Sequence, residues 1–148
     1  PCLNTLSKNL KLACHMFSEH DIQPVFEMIN GTDMPRFLVQ NIAQAQEMLE
    51  AVQHPALKMQ YDCYHMAMMG EDVLQGLQEN IQAIGHIQFA DCPGRHEPDT
   101  AQIMYANIFE WLQHSSYGGF IAAEYRPKTV STQSFAWKAK YFAAHPQS

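Results

Sequence analysis

The apolar residues of this chain change spacing again and again, from the 3.6-residue period of an amphipathic helix to the short runs of a buried strand. Leu3, Leu6, Leu10, Ala13 and Phe17 recur at helical spacing, and IQPVFEM at 22–28 then reads as a strand. Ile42, Ala45, Met48, Leu49 and Val52 form a second stripe, followed by LKMQYD at 57–62. Val73, Leu74, Leu77, Ile81 and Ile84 precede GHIQFAD at 85–91, and Tyr105, Ile108, Phe109 and Leu112 precede GGFIAAE at 118–124. A last helix is expected to start near Ser134 as its cap and to carry Trp137, Tyr141 and Ala144. Strands that alternate with helices pair in parallel, because a parallel crossover is long and usually holds a helix. The 148 residues read as one domain, 1–148, large enough to bury a core. Four strands and five helices amount to half of a (β/α)8 barrel, which takes about 250 residues. A small doubly wound sheet is the alternative, and length alone slightly favours it.

Composition removes several classes of function. Apolar residues make up 47% and charged residues 16%, a globular mixture and not a disordered one. The formal charge is −6 and the nine Lys and Arg are scattered, so no cationic face is available to gather phosphates and no nucleic-acid partner is expected. No apolar run approaches the roughly 20 residues of a membrane helix. Cysteines at 2, 14, 63 and 92 form no C-x-x-C pair and read as free thiols of a cytoplasmic protein. Cys63, His65, Cys92 and His96 could in principle meet a zinc ion, but their spacing matches no structural zinc motif.

Polar residues stand where buried parallel strands normally stay apolar. Three strands end in carboxylates, Glu27, Asp62 and Glu124, and the third strand carries Gln88 just before Ala90-Asp91. From 27 to 62, 62 to 88 and 88 to 124 the gaps are 35, 26 and 36 residues, each close to one βα unit. Equivalent positions on neighbouring parallel strands converge at their carboxyl ends, where barrel active sites lie. Alternation agrees: Lys58, Gln60 and Asp62 share one face of their strand, and His86 and Gln88 oppose Ile87 and Phe89. Tyr61 and Phe89 are expected in the core, His86 one pleat deeper than Gln88, and Met66, Met68 and Met69 in packing or a lid. Pro24 falls inside the first predicted strand, where it removes a ladder N–H. A lone strand-end carboxylate is more often a cap or a salt bridge. Several at matching positions need neutralising, and a hard divalent cation prefers Asp, Glu and amide oxygens.

The segments FEMIN (26–30), QYDCYH (60–65), GHIQFADCPGRHEP (85–98) and AAEYRP (122–127) resemble the hydroxypyruvate isomerase family of the xylose-isomerase-like barrels. The ADCPGRHEP string is the most specific part. The resemblance spans nearly the whole chain and implies a TIM (β/α)8 barrel of which this chain forms the last four βα units. It implies an isomerase that interconverts hydroxypyruvate and tartronate semialdehyde through an enediolate, with Glu27 and Glu124 as acid/base groups. By the same resemblance Glu27, Asp62, Gln88 and Glu124 are metal ligands for Mg²⁺ or Mn²⁺, and His65 touches substrate. Arg95, His96 and Arg126 fall where a cation could meet a substrate carboxylate; for either arginine an ordinary salt bridge is an equal alternative. One departure follows the motif: DTAQIMY at 99–105 places Gln102 where the family pattern has glutamate. A 2-oxo-tetronate isomerase or a ketose 3-epimerase is the neighbouring enzyme reading. The reading from another class is a non-catalytic half-barrel that acts by association. The expected partners are a small hydroxy-keto acid and either a second copy or the N-terminal half-barrel.

Overall fold

The computed structural model describes residues 1–142; Ala144 lies outside them. Helix α1 (Cys2–Ser18) turns Leu6, Leu10 and Cys14 to the core at four-residue steps. Leu3 and Phe17, assigned to that stripe by spacing, stay 50% and 42% exposed because the terminal turns run past the row. Strand β1 (Val25–Glu27) starts one residue after Pro24, so the proline lies ahead of the ladder and only its carbonyl joins, accepting from Lys58 N–H at 3.2 Å. Helix α2 (Ile42–Val52) is capped by Asn41, whose side chain accepts from Gln44 N–H, and buries Ala45, Met48 and Val52. Strand β2 (Lys58–Asp62) runs directly into α3 (Cys63–Met68). Helix α4 (Val73–Asn80), capped by Asp72, passes through a short 3-10 turn, Ile81–Ala83, into β3 (Ile84–Phe89). Helix α5 (Tyr105–His114), β4 (Ile121–Ala123) and α6 (Ala136–Phe142) complete the order. Ser134 does not cap α6: its hydroxyl donates to Ser131 O at 2.8 Å and the helix begins two residues later.

The four strands form one sheet in the order β1-β2-β3-β4, all parallel. Each strand lies beside the next one in the chain, the order of a barrel wall. A doubly wound sheet would reverse direction at a switch point, and none exists among the described residues. Met59, Tyr61, Ile87 and Phe89 are buried on the helix side, while Lys58, Gln60, His86 and Gln88 are half-buried on the other. The predicted alternation is present, although His86 is not the fully enclosed residue its depth suggested. The Tyr61 hydroxyl donates to Val73 O at 3.1 Å, and a Cβ at Gly76 would run into that hydroxyl; glycine there lets α4 close on β2. Phe89 packs against Phe109 and Trp137, each with ring centroids 5.2 Å away, which ties α5 and α6 to the third strand. Met66 is buried in the core, and Met68 and Met69 are half-buried. No helix of the described residues is long and apolar enough to cross a membrane.

Candidate active site

Register brings the strand-end residues together. Glu27 pairs with Gln60 and Asp62 with Gln88, while Gln88 pairs with Ala122, two residues before Glu124. Glu124 sits just past β4, its N–H bonded to Phe89 O at 3.0 Å. All four thus lie at the carboxyl end of the sheet. Asp62 is fully buried, closes β2 and caps α3, its Oδ1 accepting from Tyr64 N–H at 2.8 Å. That cap starts a helical turn and places His65 over the strand ends. Its Nε2 lies 3.8 Å from Glu27 Oε1 and 3.9 Å from Asp62 Oδ2. The Nδ1 side of the ring faces the Asn30 amide at 2.6 Å.

A loop after β3 delivers Arg95. Asp91 is fully buried and its carboxylate accepts from the N–H groups of Cys92, Thr100, Ala101 and Ile103 at 2.8–3.0 Å, fastening both ends of the loop to one side chain. Arg95 N–H donates to Asp91 O at 3.0 Å, and Arg126 N–H donates to Arg95 O at 2.7 Å. The Arg95 guanidinium then lies 2.9 Å from Glu124 Oε2 and 3.5 Å from Asp62 Oδ2. It also covers the Tyr64 ring, 5.1 Å from the centroid. A cleft of about 610 Å³ opens here, bordered by Glu27, Tyr64, His65, Arg95, Glu124 and Arg126 among others.

The electrostatics follow from this crowding. Burial, then the charge of Asp62, pushes the Glu27 carboxyl up from 4.5 to about 7. Burial also raises Asp62, to about 6, with Arg95 opposing the rise. Burial and the Arg95 charge depress His65 to about 4, so the ring is neutral near neutrality. Hydrogen bonds from Asn30 and Tyr64 hold Asp33 below the usual carboxylate range. Glu27 Oε1 is buried with no hydrogen-bond partner among the described residues. One ligand atom from each of Glu27, Asp62 and His65 lies within 4.8 Å of the others. An orphaned carboxylate oxygen beside a second buried carboxylate is the donor set that a hard divalent cation fits. It is the only grouping of three potential ligands among the described residues, so Cys63, His65, Cys92 and His96 do not assemble a zinc site.

Of the residues singled out from the sequence, Glu27, Asp62, His65, Arg95, Glu124 and Arg126 gather at one cleft. Gln88 lies on the same face but its Oε1 accepts from Gln60 Nε2 at 2.6 Å. His96 does not border the cleft; its Nδ1 lies 2.7 Å from Arg126 O and its ring packs beneath Gly94. Its contacts are therefore those of a loop tether. Asn30, Asp33, Tyr64 and the anchoring role of Asp91 were not anticipated. The one available signal is that Asn30, Tyr64 and Asp91 fall inside the segments FEMIN, QYDCYH and GHIQFADCPGRHEP.

A family model for the xylose isomerase-like TIM barrel matches residues 1–141. Hydroxypyruvate isomerase of Escherichia coli K12 is 36% identical over 137 residues, covering 93% of this chain and 53% of that protein. 2-oxo-tetronate isomerase of Cupriavidus necator is 34% identical over 140 residues, covering 95% and 54%. Among solved structures, one described as an AP endonuclease, family 2, from Brucella melitensis superimposes with a TM-score of 0.90 at 29% identity, covering 95% of this chain and 54% of that one. The chain spans about half the length of the curated relatives it matches.

Proposed function

The chain belongs to the xylose isomerase-like TIM barrel family, and on that footing we propose that it carries the acid/base site of an isomerase that interconverts hydroxypyruvate and tartronate semialdehyde. One observation carries the reading most. Glu27 presents a buried, unpartnered oxygen at the strand ends, bordering the cleft that Glu124 also lines, which suits a carboxylate that takes a proton from a bound substrate or returns one.

The reaction removes a proton from C3 of hydroxypyruvate, passes through an enediolate and returns a proton at C2, while the hydroxyl proton moves from O3 to O2. Two carboxylates flanking one substrate plane are needed. Glu27 and Glu124 border the same cleft, and one takes the carbon-bound proton while the other returns one. Arg95 is held by Asp62, Glu124 and Tyr64, so its charge steadies the carboxylates. Arg126 is exposed at the cleft and makes no ion pair among the described residues. It is the better-placed partner for the substrate carboxylate, which a planar guanidinium can grip with two hydrogen bonds. A divalent cation would be held by Glu27, Asp62, Gln88 and Glu124, and when bound it supplies a Lewis acid for the two oxygens of the enediolate. Dialysis against a chelator is expected to lower turnover and Mn²⁺ to restore it; full activity in a metal-free sample would leave the carboxylates as acid/base groups alone.

The similar identity to a 2-oxo-tetronate isomerase supports a second reading, with one more carbon on the substrate. Assaying hydroxypyruvate and 2-oxo-tetronate side by side tests both. A kcat/KM higher for the four-carbon acid would select the second.

A further inference from the structure

We propose that Asn30 is a positioning residue that holds the His65 imidazole in its Nε2–H form, so that the ring enters the cleft as a hydrogen-bond donor to a substrate oxygen and not as a metal ligand. The donor role rests on the isomerase reading of the cleft; the state of the ring does not.

Asn30 is fully buried in the loop that follows β1. Its side-chain orientation is settled by its partners. Oδ1 accepts from Thr32 N–H at 3.1 Å and from Asp33 N–H at 2.8 Å. Backbone N–H groups can only donate, so the atom they meet is the oxygen. Nδ2 then has two hydrogens to place. One goes to Asp33 Oδ2 at 3.0 Å, and the other faces His65 Nδ1 at 2.6 Å. The Asn30 backbone N–H points to the same Nδ1 from 3.4 Å. Two donors converge on Nδ1, which must therefore present its lone pair. A hydrogen there would meet two others head on.

With Nδ1 an acceptor, the single proton of the neutral ring sits on Nε2. Nε2 points between Glu27 and Asp62, 3.8 and 3.9 Å from their nearest oxygens. Both distances exceed hydrogen-bond reach, which leaves the N–H of a cleft-lining residue without a protein acceptor and available to a substrate oxygen. Metal binding through Nε2 needs a lone pair on that atom, and Nδ1 is already taken. Although Glu27, Asp62 and His65 cluster within 4.8 Å, the ligands of a cation in this site are thereby confined to oxygens.

The test uses the full-length protein labelled with ¹⁵N-histidine and long-range ¹H–¹⁵N spectra, with His65→Gln to identify the ring signals. The expected result is a protonated Nε2 and an unprotonated Nδ1. Asn30→Asp keeps an acceptor for the two backbone N–H groups and puts an oxygen against Nδ1, so the proton should appear on Nδ1. Asn30→Asp with Asp33→Asn does the same without placing two carboxylates side by side, and serves if the single variant folds poorly. Hydroxypyruvate turnover of the shifted variant should fall roughly 10²-fold in kcat, with a smaller change in KM, as when one donor to a developing oxyanion is lost. A wild-type ring protonated on Nδ1, or a ring unchanged in both variants, overturns the positioning role. A shifted ring with normal kcat overturns the donor role alone. If the wild-type protein does not turn over hydroxypyruvate at all, the isomerase reading falls while the spectra still decide what Asn30 does.

Discussion

Burying a carboxylate costs free energy unless something offsets it, and Glu27 sits beside a second buried carboxylate with one oxygen unpartnered. Its pKa rises from 4.5 to about 7 on folding, so the folded state favours the protonated form. That contribution to stability is complete below 4.5 and is lost as pH climbs through 7. Glutamine mimics the protonated form at every pH. Glu27→Gln is therefore expected to melt above the parent at about pH 8 and close to it at about pH 5, with a chelator present in both cases. An equal difference at the two pH values in thermal unfolding would contradict the burial of this charge. The same residue was readable beforehand, because a carboxylate ending an apolar strand breaks the pattern of buried parallel strands. Asn30 was not. It works through a tight non-periodic turn, bonding Thr32, Asp33 and His65, and no spacing rule reports on such a turn.

At the level of elements, the strands were found near their true positions because each is a short apolar run set off by a helical stripe. Helix α3 was missed: Asp62 ends a strand and caps a helix in consecutive residues, leaving no loop to mark the change of period. The run GGFIAAE suggests a fourth strand from Gly118, yet pairing begins at Ile121, since two glycines add no side chain to pack. The loop after β3 shows a further blind spot. Asp91 stood beside the polar ladder, but its carboxylate collects four backbone N–H groups, a role that only the folded loop defines. Asp91→Ala is expected to destabilise the protein by about 2–3 kcal/mol, since a buried carboxylate that holds four backbone N–H groups is lost and the Cys92 N–H is left buried without an acceptor. It should also lower kcat/KM, because the loop it anchors carries Arg95 to Asp62 and Glu124. Urea unfolding with steady-state kinetics checks both; unchanged kinetics in a folded variant would separate the loop from the site.

Across the whole molecule, the sheet has an outer strand at either side, β1 and β4, and Val25 and Phe120 near those edges are 36% and 84% exposed. The site face carries Gln60, Gln88 and Glu124 without a facing wall among the described residues. Unpaired strand edges invite association. The 148-residue chain by itself is therefore expected to dimerise or aggregate, and to isomerise little unless a second half-barrel closes the site. Sedimentation combined with a hydroxypyruvate assay checks this, and a soluble, fully active monomer would show that barrel closure is unnecessary. Whether Glu27 moves the proton is decided by comparing hydroxypyruvate turnover of the protein with that of its Glu27→Gln variant, after circular dichroism has shown the two folds to be alike. Conversion by the parent and a loss of about 10²–10⁴-fold in kcat for the variant are expected, the range for one general acid/base group. Near-equal turnover of the two proteins would contradict that role.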